Sequence, residues 1–186
     1  GCWCSFAPDR AWPIAFMNEP ERTSPDGSDF SPRCLSIDLE VGIRDARIHG
    51  FGAIRGDTDA TCTYRSGDLS AALRRLDDLS VGAAFLLGHN LIAFDLPHLM
   101  AAKPDLALLR LPAVDTLRLN PLAFPRNPYH HLVKHYQDGQ LKRGRLNDPE
   151  LDARLTLQVF RDQQIALREL DQAAPQLLLA WHWLTT

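Results

Sequence analysis

Several features are missing from this 186-residue chain, and each absence removes a class of function. No apolar run approaches the roughly 20 residues that a transmembrane helix needs. No secretory signal is apparent either, so a cytoplasmic chain with no membrane partner is expected. An excess of basic residues is also missing. Twenty Lys and Arg stand against 23 Asp and Glu, a net charge of −3, which confines any nucleic-acid contact to a local patch. Cysteine is scarce: Cys2, Cys4, Cys34 and Cys62 match no zinc-ligand spacing. Cys34 and Cys62 lie in strand-like apolar runs and read as small buried hydrophobes, and all four are expected to be reduced. No internal repeat is present.

What remains is globular. At 45% hydrophobic and 23% charged, the chain can bury a core of its own. Residues 1–33 are expected to be a peripheral arm or linker, partly disordered, because Asn18 to Pro32 is dense in Pro, Ser and acids. Gly1 to Met17 holds two Trp and two Phe without clean periodicity, which suits a small packed arm, an extension ahead of a start at Met17, or a remnant foreign to the domain. The folded domain is expected over 34–186.

Its elements follow from local chemistry. Strands are expected at Cys34 to Val41, Ile48 to Arg55 and Thr61 to Tyr64, with a hairpin turn at Gly56 to Asp59. Asp68 caps a helix to about Leu79, whose Leu69, Ala72, Leu73, Leu76 and Leu79 form an apolar stripe. A short strand, Phe85 to Gly88, precedes a helix starting near Asp95, since Pro97 is tolerated only in a first turn. Ala113 to Leu119 reads as a short strand, Asn120 to Asn127 as a Pro-broken loop, and Tyr129 to Tyr136 as a short helix. Asn147-Asp148-Pro149-Glu150 starts the last long helix, which is expected to run to about Leu170. The Leu- and Trp-rich stretch Gln176 to Leu184 either packs on the domain or meets further chain. Strand–helix alternation of this kind predicts an α/β fold with a mixed sheet.

The chemistry starts on the first strand, Cys34-Leu35-Ser36-Ile37-Asp38-Leu39-Glu40-Val41. A strand has a side-chain period of two, so Asp38 and Glu40 project to one face. Two acids there repel each other unless a cation sits between them, and an all-oxygen site favours magnesium or manganese. A solvated edge strand is the alternative. Two further acids stand at helix starts: Asp95 after Gly88-His89-Asn90-Leu91-Ile92-Ala93-Phe94, and Asp152 in Leu151-Asp152-Ala153. Either one alone is also explained by helix capping or the helix dipole.

Taken in order, Asp38-x-Glu40, Asn90-x-x-x-Phe94-Asp95 and Asp152 in Leu-Asp-Ala-Arg resemble the three motifs of the DEDD (DnaQ-like) 3′–5′ exonuclease superfamily. The middle motif most resembles that of proofreading domains in family B DNA polymerases, and Asp115-Thr116-Leu117 is a further echo. The resemblance implies a ribonuclease H-like mixed five-stranded sheet flanked by helices. It also implies two Mg²⁺ or Mn²⁺ ions held by Asp38, Glu40, Asp95 and Asp152. By the same resemblance, single-stranded nucleic acid, with DNA favoured, enters by its 3′ end and leaves as 5′-monophosphates, with Leu39, Asn90 and Phe94 near the last nucleotide. Fusion to a bacterial RecQ-like helicase or another domain is one arrangement such domains resemble.

One position departs from the pattern. The superfamily places a His five residues, or a Tyr four residues, before the last Asp, and here those positions are Asn147 and Asp148. Asn cannot take a proton near neutral pH, although its carbonyl can orient a water. Loss of a general base costs about 10²–10⁴-fold, whereas metal coordination can bring the pKa of bound water from about 15.7 towards 7 in the best case. Reduced but real activity is expected. Just before Asn147 lies the one basic run, with His130, His131, Lys134, His135, Lys142, Arg143 and Arg145, and with Tyr129 and Tyr136 available for stacking. It reads as a nucleic-acid contact or as a solvated charged loop. The expected function is a metal-dependent 3′–5′ exonuclease. The alternative is a weak or inactive module that binds 3′ ends, and a purely structural domain is the third reading.

Overall fold

Strand β1 (Cys34–Val41) lies at the middle of a five-stranded sheet of order β3-β2-β1-β4-β5 in the computed structural model, which describes residues 29–126 and 148–185. Strand β2 (Ile48–Arg55) pairs antiparallel with β1, and β3 (Thr61–Tyr64) pairs antiparallel with β2. On the other side β4 (Phe85–Gly88) runs parallel to β1, and β5 (Ala113–Asp115) runs parallel to β4. The fold is therefore α/β, with a mixed five-stranded sheet flanked by helices, consistent with a ribonuclease H-like fold. Because β1 is central, the solvated-edge explanation of Asp38 and Glu40 falls away.

The period of two on each strand sorts the core into two layers. Leu35, Ile37 and Leu39 of β1, Phe51 and Ala53 of β2, and Leu86 of β4 face α1 (Leu69–Ser80) and α2 (Leu96–Ala102), packing on Ala72, Leu73, Leu76 and Leu99. The intervening residues Cys34 and Leu87 face the long α4 (Pro149–Ala173) through Leu157 and Phe160. Cys34 is fully buried and its Sγ donates to the Ser31 carbonyl, and burial pushes its thiol up to about 12. Cys34 and Cys62 are both free thiols.

The expected caps are in place. Asp68 accepts from the Ala71 amide at the start of α1, and Asp148 accepts from Leu151 at the start of α4, with Pro149 in the first position. Asp29 to Ser31, expected within the linker, are instead tied to α4: the Phe30 amide donates to Gln164 Oε1, and Gln164 Nε2 donates to Asp29 and Ser31.

One stretch differs from expectation. The strand expected over Ala113 to Leu119 stops at Asp115, and Thr116–Ala123 forms α3, which runs through Pro121 into the expected loop. Asp115 caps this helix by accepting from Leu117, and buried Gln163 of α4 donates to the Thr116 carbonyl and to Asn120 Oδ1. These long-range bonds outweigh the one intrahelical bond that Pro121 cannot make. The helix expected at Tyr129 to Tyr136 lies outside the described residues. The expected Leu- and Trp-rich end is α5 (Pro175–Thr185), which leaves Leu177, Leu179 and Trp183 exposed. Among the described residues no helix is long and apolar enough to cross a membrane.

Candidate metal centre

Asp38, Glu40 and Asp152 meet. One carboxylate oxygen from each lies within 4.8 Å of the other two. Asp38 and Glu40 are half-buried on β1, and Asp152 is 5% exposed in the first turn of α4. Three converging carboxylates offer hard oxygen donors, the ligand set that suits Mg²⁺ or Mn²⁺ and pairs poorly with soft metals.

The meeting depends on how closely α4 approaches the sheet. Gly52 of β2 is the cross-strand partner of Asp38, and Gly50 is the partner of Glu40. A Cβ at Gly52 would sit 2.5 Å from Glu150 Cα, and nearer still to Glu150 N and Pro149 C. The absence of a side chain at position 52 therefore lets the first turn of α4 rest on β2, beside Asp38. From β1 itself, Ser36 Oγ donates to the Ala153 carbonyl at 2.8 Å.

Asp95 stands one step away. It is 2% exposed and its Oδ1 accepts from the Leu39 amide at 3.0 Å, the amide between Asp38 and Glu40. It is not one of the three residues whose oxygens cluster. Desolvation raises its pKa to about 7; the bond from Leu39 opposes that shift and the nearby Asp115 charge adds to it. The turn bearing Asp95 is a wide π-type coil over Leu91–Asp95, entered through Asn90 in the left-handed region at φ 69°. Such a turn leaves backbone amides to satisfy, and buried Asp115 takes them. Its carboxylate accepts from Asn90 and Ile92 as well as Leu117. The sequence echo at Asp115 thus has a local physical role: it anchors the turn that presents Asp95.

Of the residues expected near a terminal nucleotide, Leu39 is buried, with its amide given to Asp95, and Asn90 is half-buried at the turn. Phe94 is 39% exposed, with its ring edge-to-face on His98 at 4.9 Å. Asp148, at the spacing where one branch of the superfamily carries Tyr, is the α4 cap and is paired with Arg65 at 3.1 Å. Asn147, Lys142, Arg143, Arg145 and the other members of the basic run, His130, His131, Lys134 and His135, lie outside the described residues, as do Tyr129 and Tyr136.

Sequence reasoning missed Ser36, Gly50 and Gly52. The signal was the same alternation that selects Asp38 and Glu40: Ser36 shares their face, and the two glycines alternate along the next strand. The chain matches no protein-family model and no curated protein.

Proposed function

We propose that this chain is a metal-dependent 3′–5′ exonuclease domain, acting on single-stranded nucleic acid, DNA favoured, and releasing nucleoside 5′-monophosphates. The observation that carries the reading is the convergence of Asp38, Glu40 and Asp152 from a central strand and a distant helix. Three carboxylates with oxygens this close repel one another, and a divalent cation between them relieves that repulsion. When bound, two Mg²⁺ or Mn²⁺ ions supply charge neutralisation of the phosphodiester and an acidified water. Asp38, Glu40 and Asp152 would hold them, and Asp95, which accepts from the Leu39 amide, would add a fourth carboxylate. Phe94 offers an exposed ring on which a terminal base can stack. On the sequence resemblance, Asn147 would orient a water through its carbonyl, and on charge Lys142, Arg143 and Arg145 would meet the phosphate backbone.

One observation favours the weaker alternative of a non-catalytic module that binds 3′ ends. Asp148 is engaged with the Leu151 amide and Arg65, so it is poorly placed to stand in as base. A 5′-labelled single strand incubated with the protein and Mn²⁺ separates the two. A ladder of shortened products that disappears in Asp38→Ala is the expected result. Asn147→His is expected to retain activity and shift the pH profile. No ladder at any metal or pH sinks the catalytic reading in favour of the binding module.

A further inference from the structure

Resting on the reading of Asp38, Glu40 and Asp152 as a metal-holding set, we infer that Ser36 is the positioning residue that fixes the first turn of α4 over β1. Ser36, Asp38 and Glu40 follow one another at every second residue on one strand, so they form a single row under the helix. Ser36 is fully buried, and its hydroxyl reaches the carbonyl of Ala153, the residue next to Asp152. The contact joins positions 117 residues apart, directly beside the carboxylates that must meet.

The choice of a hydroxyl there is not explained by packing. The neighbouring contacts between β1 and α4 are apolar, Cys34 against Leu157 and Phe160. Apolar burial is non-directional, so it favours contact between helix and sheet without by itself specifying a hydrogen-bonded register. A hydrogen bond has a preferred length and angle and so selects one setting. The Ala153 carbonyl, inside a helix, already has an intrahelical donor available four residues on. The bond from Ser36 is therefore additional to what α4 needs as a helix. Its effect is to fix the rotation and height of the turn that carries Asp152, so that metal binding does not have to order that turn.

The test measures Mn²⁺ binding by titration and the electron paramagnetic resonance spectrum of the bound ion, alongside melting in EDTA. Wild type, Asp38→Ala, Ser36→Ala and Ser80→Ala are compared. Ser80 is the control, because its buried hydroxyl donates to Asp77 at the end of α1 on the opposite face of the sheet. Ser36→Ala is expected to bind Mn²⁺ about fivefold more weakly, which is about 1 kcal/mol, with a changed spectrum. Ser80→Ala is expected to lose a similar amount of thermal stability and none of its metal affinity. Wild-type affinity and spectrum in Ser36→Ala overturn the inference. Should that variant fail to fold, Ser36→Cys keeps the shape with a weaker donor, and wild-type binding there overturns it equally. If wild type binds no more Mn²⁺ than Asp38→Ala, the metal reading itself fails and this inference goes with it.

Discussion

Adding one methyl group at position 52 is expected to separate Asp152 from Asp38 and Glu40, the three carboxylates proposed to hold metal. The Cβ of Gly52→Ala would lie 2.5 Å from Glu150 Cα, with Glu150 N and Pro149 C closer still, and all three are backbone atoms that cannot rotate away. Ordinary carbon contacts are about 3.5–4.0 Å, so the start of α4 must retreat by about 1 Å. Asp152 lies two residues further along the same helical turn and retreats with it. Metal–oxygen bonds at a magnesium site hold to within about 0.2 Å, so a shift of that size would take Asp152 out of the proposed ligand set. Overpacking of this kind costs about 1–3 kcal/mol, or roughly 2–12 °C of Tm in a domain this large. Melting in EDTA reads the stability loss, and Mn²⁺ titration is expected to show affinity falling by at least about tenfold. A variant with wild-type Tm and wild-type Mn²⁺ affinity would show that α4 does not rest on β2 at Gly52.

Two further predictions concern groups outside the three clustered carboxylates. Asp115→Ala leaves the amides of Asn90, Ile92 and Leu117 without their acceptor, and at about 1 kcal/mol for each of these part-buried bonds the loss is expected to be about 2–3 kcal/mol. Urea denaturation measures it; a loss below about 1 kcal/mol rules out the anchoring role, and Asp115→Asn should recover part of the difference. Cys34, with its thiol raised to about 12, is expected to resist iodoacetamide at pH 8 in the folded protein and to react once unfolded in urea. Because the folded thiol titrates above the unfolded one, its contribution to stability is complete below about pH 8.5 and fades as the pH rises towards 12. Peptide mapping of the Cys34 segment checks the labelling, and rapid modification under native conditions would contradict the burial.

The elements with strong local signals were legible in the sequence. Strands β1 to β4, the Asp68 cap and the Pro149 start of α4 rest on side-chain period, capping oxygens and the fixed φ of proline, which operate within a few residues. The pairing of Asp38 with Glu40 on one face was equally local. Helix α3 was not legible, because Pro121 argues against it locally and its support comes from Gln163, more than 40 residues away.

Local chemistry along the chain already sets which acids could act together: the strand period binds Asp38 to Glu40, and helix-start chemistry marks Asp95 and Asp152. That Asp152 reaches the other two while Asp95 meets the Leu39 amide follows from the packing of the whole fold. The reason is that the approach of α4 depends on a missing side chain at Gly52 and a hydroxyl at Ser36. Their effect exists only once β1, β2 and α4 are in contact, where steric exclusion and a directional hydrogen bond act across the fold rather than along the chain.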